Sequence, residues 1–112
     1  MITGAHAMIF SKDAQADRAF LRDVLGLRCI DSGGGWLIFA FPEAELGVHD
    51  SDENDVHQLY LMTDGLDAEI ERITSLGGQC SDPAAQGWGR STNITLPGGG
   101  KLGLYEPRHA RP

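Results

Sequence analysis

The sequence has few cysteines, few positive charges and no long apolar run, and each shortage excludes a class of protein. Two cysteines in 112 residues, without CxxC spacing, are too few for a disulfide framework, so we expect Cys29 and Cys80 to be reduced. Nine Lys and Arg against 16 Asp and Glu give a net charge of −7. This balance argues against binding of nucleic acid, which requires clustered cations.

The apolar residues do not form a run long enough to cross a bilayer, and the start of the chain lacks the features of a signal peptide. We therefore expect a cytoplasmic protein that does not contact membranes. The acidic stretch HDSDEND (49–55) is predicted to be a solvated connector, because a calcium loop would require flanking helices and a terminal Glu. The basic residues of the segment 108–112 predict a solvated tail.

The sequence predicts the same order of secondary-structure elements twice. Unit one, about 2–50, begins with the alternating strand ITGAHAMIF and continues into a helix that Asp13 can cap and Gly26 can end. The segments LRCID, WLIFAF and ELGVH are then predicted to be strands. The order of elements in this unit is βαβββ.

Unit two, about 56–106, begins with VHQLYLMT and continues into the helical segment DGLDAEIERITSLGG. Short strands are predicted at QCS, RSTNITL and KLGLY, with a PGGG turn before the last one. The sequence therefore predicts one α+β domain over 1–107, in which two tandem βαβββ units form a curved mixed sheet shaped as a cup.

Two long segments carry a resemblance to a known superfamily. HAMIFSKDAQADRAFLRDVLG and WGRSTNITLPGGGKLGLYEP resemble the vicinal-oxygen-chelate superfamily, which includes glyoxalase I, extradiol dioxygenases and bleomycin-resistance proteins. The resemblance covers essentially residues 2–107. It implies the cup-shaped fold, a small-molecule ligand and a homodimer.

The resemblance also implies four metal-ligand positions, one on the first and one on the last strand of each unit. His6 falls on the first of them. In unit two either His57 or Gln58 falls on the matching position, and strand parity favours Gln58, since Gln58, Tyr60 and Met62 then match His6, Met8 and Phe10.

Glycine stands at both last-strand positions, where the superfamily usually has a carboxylate. These are Gly47 and Gly103. The remaining candidate ligands, His6, Gln58 and His49, carry no formal negative charge, and hard divalent ions hold such a set poorly. We therefore predict no particular cofactor, and the resemblance leaves a divalent Fe, Ni, Zn or Mn open.

The inward faces of the strands predict a pocket lined by aromatic and polar side chains. Its expected substrate-binding residues are His6, Met8, Phe10, Trp36, His49, Gln58, Tyr60, Met62, Trp88, Arg90 and Tyr105. Two hypotheses follow: a glyoxalase- or bleomycin-resistance-like protein that binds an organic ligand, and a metal-dependent lyase, isomerase or dioxygenase with a reduced ligand set. A metal-free enzyme that uses His6 or Tyr105 as general acid or base is a third.

Overall fold

The fold is described from a computed structural model over residues 6–110 and residue 112. Two helices and seven strands are found in this part of the chain. In chain order they are α1 (Ala14–Asp23), β1 (Cys29–Asp31), β2 (Leu37–Phe39), β3 (Tyr60–Met62), α2 (Leu66–Ser75), β4 (Gln79–Cys80), β5 (Ala84–Gln86), β6 (Gly89–Thr95) and β7 (Lys101–Pro107). This mixture of helices and strands confirms the predicted α+β class.

Both helices begin and end where the sequence predicts. Asp13 is the N-cap of α1, and its carboxylate accepts a hydrogen bond from the backbone N–H of Ala16 at 3.1 Å. Gly65 is the equivalent N-cap of α2, without a side chain to contribute. Gly26 and Gly77, with φ of 72° and 91°, follow the two helices and reverse the chain in a conformation that favours glycine.

Unit two forms a complete sheet with the strand order β3-β7-β6-β4, and β5 pairs with β6. β3 runs parallel to β7, and the other pairs are antiparallel. Helix α2 lies against one face of this sheet. The core consists of six buried apolar side chains, all of them in unit two: Leu66, Ile73, Ile94, Leu96, Leu102 and Leu104.

Within the described residues, unit one forms its helix and one strand pair, the antiparallel hairpin β1-β2. The strands expected over 2–10 and at 45–49 are not formed in the described part of the chain: residues 6–10 and 45–49 have no strand pairing, and residues 1–5 lie outside the description. A strand requires a hydrogen-bonded neighbour. Alternation in the sequence therefore predicted which segments could pair, but it could not predict that residues 6–10 and 45–49 lack a paired strand in the described part of the chain.

The two units are joined by a buried polar contact between α1 and the last turn of the sheet. Asp17 is only 5% exposed, and its carboxylate accepts the backbone N–H of Gly98 at 2.7 Å. The turn that contains Gly98 follows β6, so this bond holds unit one on unit two. No covalent link reinforces it, because both cysteines are free.

Asp17→Ala is expected to lower the free energy of unfolding by about 1–2 kcal/mol, since it leaves a partly buried N–H without its acceptor. Urea denaturation measures this loss. Gln15→Ala, an exposed position on the same helix, is the matched control and should stay within about 0.5 kcal/mol of the parent. Equal effects of the two substitutions would contradict the role given to Asp17.

The chain exposes more surface than a folded monomer of its size. Its accessible surface is 8489 Å², whereas a globular monomer of 12.1 kDa exposes about 6,000 Å². Its radius of gyration is 14.8 Å, against about 13 Å expected for this length. Within the described residues, neither helix is long and apolar enough to cross a membrane.

Candidate functional site

The sheet of unit two has one face covered by helices and one open face. Along β6 and β7 the side chains of Ile94, Leu102 and Leu104 are buried towards the helices. Gly103 and Tyr105 alternate with these leucines and therefore lie on the opposite face. We call this opposite face the cup face.

Strand β3 adds to the same arrangement in a fixed register. Tyr60 is paired with Gly103, and Met62 is paired with Tyr105. Leu61 packs against the core, so Tyr60 and Met62 point to the cup face. The parity expected for these two residues from the sequence is the parity that the structure shows.

Three aromatic rings meet on the cup face, and we call them the aromatic cluster: Tyr60, Trp88 and Tyr105. Their centroids are 5.2 Å (Trp88 to Tyr105), 5.6 Å (Tyr60 to Tyr105) and 6.2 Å (Tyr60 to Trp88) apart. The rings stand at 75–89° to one another, the edge-to-face geometry that aromatic pairs prefer. Tyr60 remains 38% and Trp88 42% exposed, so the cluster is a surface and not a core.

Gly103 is glycine because the ring of Tyr60 lies directly over it. A Cβ atom added at position 103 would lie 2.3 Å from Cδ1 and 2.9 Å from Cγ of Tyr60, far inside van der Waals contact. Cγ is at the base of the ring and cannot move away without moving the whole side chain. The position at which the resemblance implies a carboxylate is thus covered by an aromatic ring.

A polar group adjoins the aromatic cluster at the hydroxyl of Tyr105. This hydroxyl donates to Oε1 of Glu45 at 3.3 Å and lies 3.2 Å from Nε2 of His109. The same Nε2 is 3.5 Å from Oε1 of Glu45. A phenol between a carboxylate and an imidazole can orient a polar ligand group or exchange a proton with it.

The beginning of the C-terminal tail is exposed and also contacts this site. The backbone N–H of Arg108 donates to the carbonyl of Trp88 at 2.8 Å, and the His109 ring lies 6.1 Å from that of Tyr105. Sequence reasoning missed both Glu45 and His109 as site residues. Their contacts with Tyr105 depend on the tertiary fold, and no local motif marks them.

The first-unit residues expected in the pocket lie elsewhere. His6, Met8, Phe10 and Trp36 line a separate cavity of about 340 Å³, bounded by α1 and by Leu96 and Leu102. Because those two leucines belong to the helix-covered face, this cavity is not on the cup face. The indole of Trp36 lies under the guanidinium of Arg18, 5.6 Å from it, and not beside Trp88.

Arg90 does not face the aromatic cluster. It donates to both carboxylate oxygens of Asp67 on α2, at 3.0 and 3.2 Å. This hydrogen-bonded guanidinium holds the pKa of Asp67 below its usual range, so the pair contributes stability at neutral pH that is lost as the pH falls through the lowered pKa. In the register of β6 and β7, Arg90 is paired with Glu106. Glu106 is the residue after Tyr105, so this pair lies on the face opposite to Tyr105.

The residues present do not fit a metal centre of the kind the resemblance implies. Position 103 has no ligand atom and no room for one, and Gly47 offers no side chain. His49 is exposed, with Nδ1 2.7 Å from the carbonyl oxygen of Asp50. Over residues 6–110 and 112, no three His, Cys, Asp or Glu side chains are grouped as metal ligands. Gln58 is exposed and its ligand role stays a prediction, as does its preference over His57.

Cys80 is a poor candidate for a nucleophile in place of a metal. Burial raises the pKa of the Cys80 thiol, which disfavours the reactive thiolate at neutral pH.

Comparison with solved structures identifies the architecture. The antibiotic-binding protein TnmS3 from Streptomyces sp. CB03234 superposes with a TM-score of 0.68 at 23% identity, over 96% of this chain and 99% of that one. The chain has the glyoxalase/bleomycin resistance protein/dioxygenase fold. Family models and curated proteins gave no match.

Other proteins with this fold have different activities. The fosfomycin resistance protein FosX from Listeria monocytogenes matches at a TM-score of 0.61 and 23% identity, over 95% of this chain and 94% of that one. Lactoylglutathione lyase from Agrobacterium tumefaciens matches at 0.61 and 19%, over 88% of each chain. At these identities the likeness establishes the fold, and function has to be argued from the site.

Proposed function

We propose that this protein binds a small organic molecule on the aromatic cluster and does so without a metal ion. The observation that carries the proposal is the ring of Tyr60 lying over Gly103, because it places an aromatic ring where the resemblance implies a metal ligand. Exposed rings that are held rigidly by a sheet offer apolar contact at little cost in conformational entropy. TnmS3, which shares this fold, is an antibiotic-binding protein, and this agrees with a binding role.

The polar side chains beside the aromatic cluster can orient the bound ligand. Glu45, Tyr105 and His109 present a carboxylate, a hydroxyl and an imidazole at one end of an otherwise apolar surface. Ligand sites typically combine apolar walls with a few placed polar groups of this kind. We therefore expect a ligand with a planar or bulky apolar body and one polar end.

We also propose that the binding form is a homodimer in which a second copy covers unit one. Ten large apolar side chains between residues 8 and 56 are exposed, among them Phe10, Leu46 and Val48 at 92–95%. The excess over a folded monomer is about 2,500 Å² per chain, or about 5,000 Å² for two chains, at the upper end of the total area that obligate dimers bury. A second copy also supplies neighbours for the unpaired segments 6–10 and 45–49.

Trp88→Leu is expected to weaken binding of planar aromatic compounds at least about tenfold, because it removes one wall of the cluster while keeping an apolar side chain. A thermal-shift panel finds the ligands, and calorimetric titration measures the dissociation constants. Arg90→Gln is the matched control. Since Arg90 is paired with Asp67 on the other face, its replacement should change affinity by less than about twofold. Equal losses in the two variants would refute the proposed location.

A further inference from the structure

The aromatic cluster has the dimensions of a site for an organic cation. Its three ring centroids form a triangle with sides of 5.2, 5.6 and 6.2 Å. A group that rests on the exposed side of such a triangle lies within about 6 Å of all three centroids, the distance over which a cation is attracted to a ring. The three planes stand at 75–89° to one another, and a cation is attracted to a ring where it lies over the face of that ring.

The charges around the cluster have the sign that such a ligand requires. The carboxylate of Glu45 accepts the hydroxyl hydrogen of Tyr105, and the Glu45 side chain is only 17% exposed, which limits screening by water. The connector 49–55, which follows Glu45 in the chain, carries four acidic residues, and the chain as a whole carries a net charge of −7. The imidazole of His109, whose Nε2 lies 3.5 Å from the same Oε1 of Glu45, is itself cationic when protonated.

We propose that the aromatic cluster, with Glu45 beside it, binds its ligand through a quaternary or tertiary ammonium group. This inference rests on the proposed function and names the chemistry of the ligand's polar end. The rings supply the attraction to the cation and the apolar contact for its methyl groups, while the carboxylate supplies the counter-charge.

Choline and its uncharged isostere 3,3-dimethylbutan-1-ol test the proposal, because they have the same shape and differ in charge. Trp36→Phe leaves Trp88 as the sole tryptophan, so its fluorescence reports on the cluster. We expect choline to change the Trp88 emission and to bind about tenfold more tightly than the isostere at 0.15 M salt. Equal affinity, or tighter binding of the isostere, would overturn the proposal.

Two variants that each remove one negative charge separate the effect of Glu45 on binding from the effect of the net charge of the chain. Glu45→Gln and Asp52→Asn alter the net charge equally, but Asp52 is an exposed residue of the connector. Glu45→Gln is expected to weaken choline binding about fivefold or more, and Asp52→Asn by less than twofold. A loss of equal size in both variants would show attraction by net charge alone and contradict a site at the cluster.

The same fluorescence experiment with neutral planar aromatic compounds distinguishes this inference from the function on which it rests. If those compounds bind and choline does not, the cluster is a binding surface without a preference for cations, and the inference fails alone. If neither class of compound changes the Trp88 emission, and Trp88→Leu leaves every dissociation constant measured by calorimetry unchanged, the proposed function fails as well. Circular dichroism of each variant confirms that its fold is retained.

Discussion

Gly103→Ala is expected to lower the free energy of unfolding by about 2–3 kcal/mol, a large effect for a single methyl group. The added Cβ would lie 2.3 Å from Cδ1, 2.5 Å from Cε1 and 2.9 Å from Cγ of Tyr60. Either the Tyr60 ring leaves the cup face or β3 moves away from β7. Urea denaturation, followed by circular dichroism, measures the loss.

Gly100→Ala is the control, because Gly100 is an exposed glycine of unit two, outside the segments that the proposed second copy covers. A Cβ added there meets no atom within 4 Å, so the substitution should change the free energy of unfolding by less than about 0.5 kcal/mol. In a Tyr60→Ala background the penalty of Gly103→Ala should fall below about 1 kcal/mol, since the obstructing ring is gone. A small loss of unfolding free energy from Gly103→Ala in the parent protein would mean that Tyr60 does not cover position 103.

Val48→Asp is expected to weaken self-association more than about 100-fold. In a single chain Val48 is 95% exposed, so an aspartate there would be harmless. In the proposed homodimer the same position is buried against the second copy, and a charge without a partner is costly there. Sedimentation velocity should show the parent protein at twice the 12.1 kDa chain mass and the variant at the chain mass.

Gln79→Glu controls for the added charge, because Gln79 is exposed on unit two, away from the unpaired segments. It should leave the protein dimeric. A parent protein that sediments as a monomer, or a Val48→Asp variant that remains fully dimeric, would contradict the proposed role of unit one.

The sequence was sufficient to predict the elements whose signals are local. Asp13 and Gly65 cap the two helices as their spacing indicates, because capping depends on a few neighbouring residues. The alternation of Leu59, Tyr60 and Leu61 correctly predicted which residues face the core, since strand parity is a property of the strand itself. The duplicated order of elements then led to the correct fold.

The rest depends on contacts that no local pattern records. Glu45 and Tyr105 are 60 residues apart, and nothing in either segment indicates that the two side chains meet. Trp88 reaches the cup face through the turn before Gly89, whose φ of 153° and close approach to the carbonyl of Glu106 exclude a side chain. The alternation of the segment 6–10 predicts a strand, but a strand also requires a paired neighbour, and the described part of the chain shows none beside this segment.

The most direct test of the central claim is the dissociation constant of one bound aromatic ligand, measured by calorimetry before and after treatment with EDTA. We attribute binding to Tyr60, Trp88 and Tyr105, and to Gly103, which the Tyr60 ring covers. We therefore predict an unchanged dissociation constant after chelation. Loss of binding with EDTA, and its recovery on addition of Mn²⁺, Ni²⁺ or Zn²⁺, would contradict it.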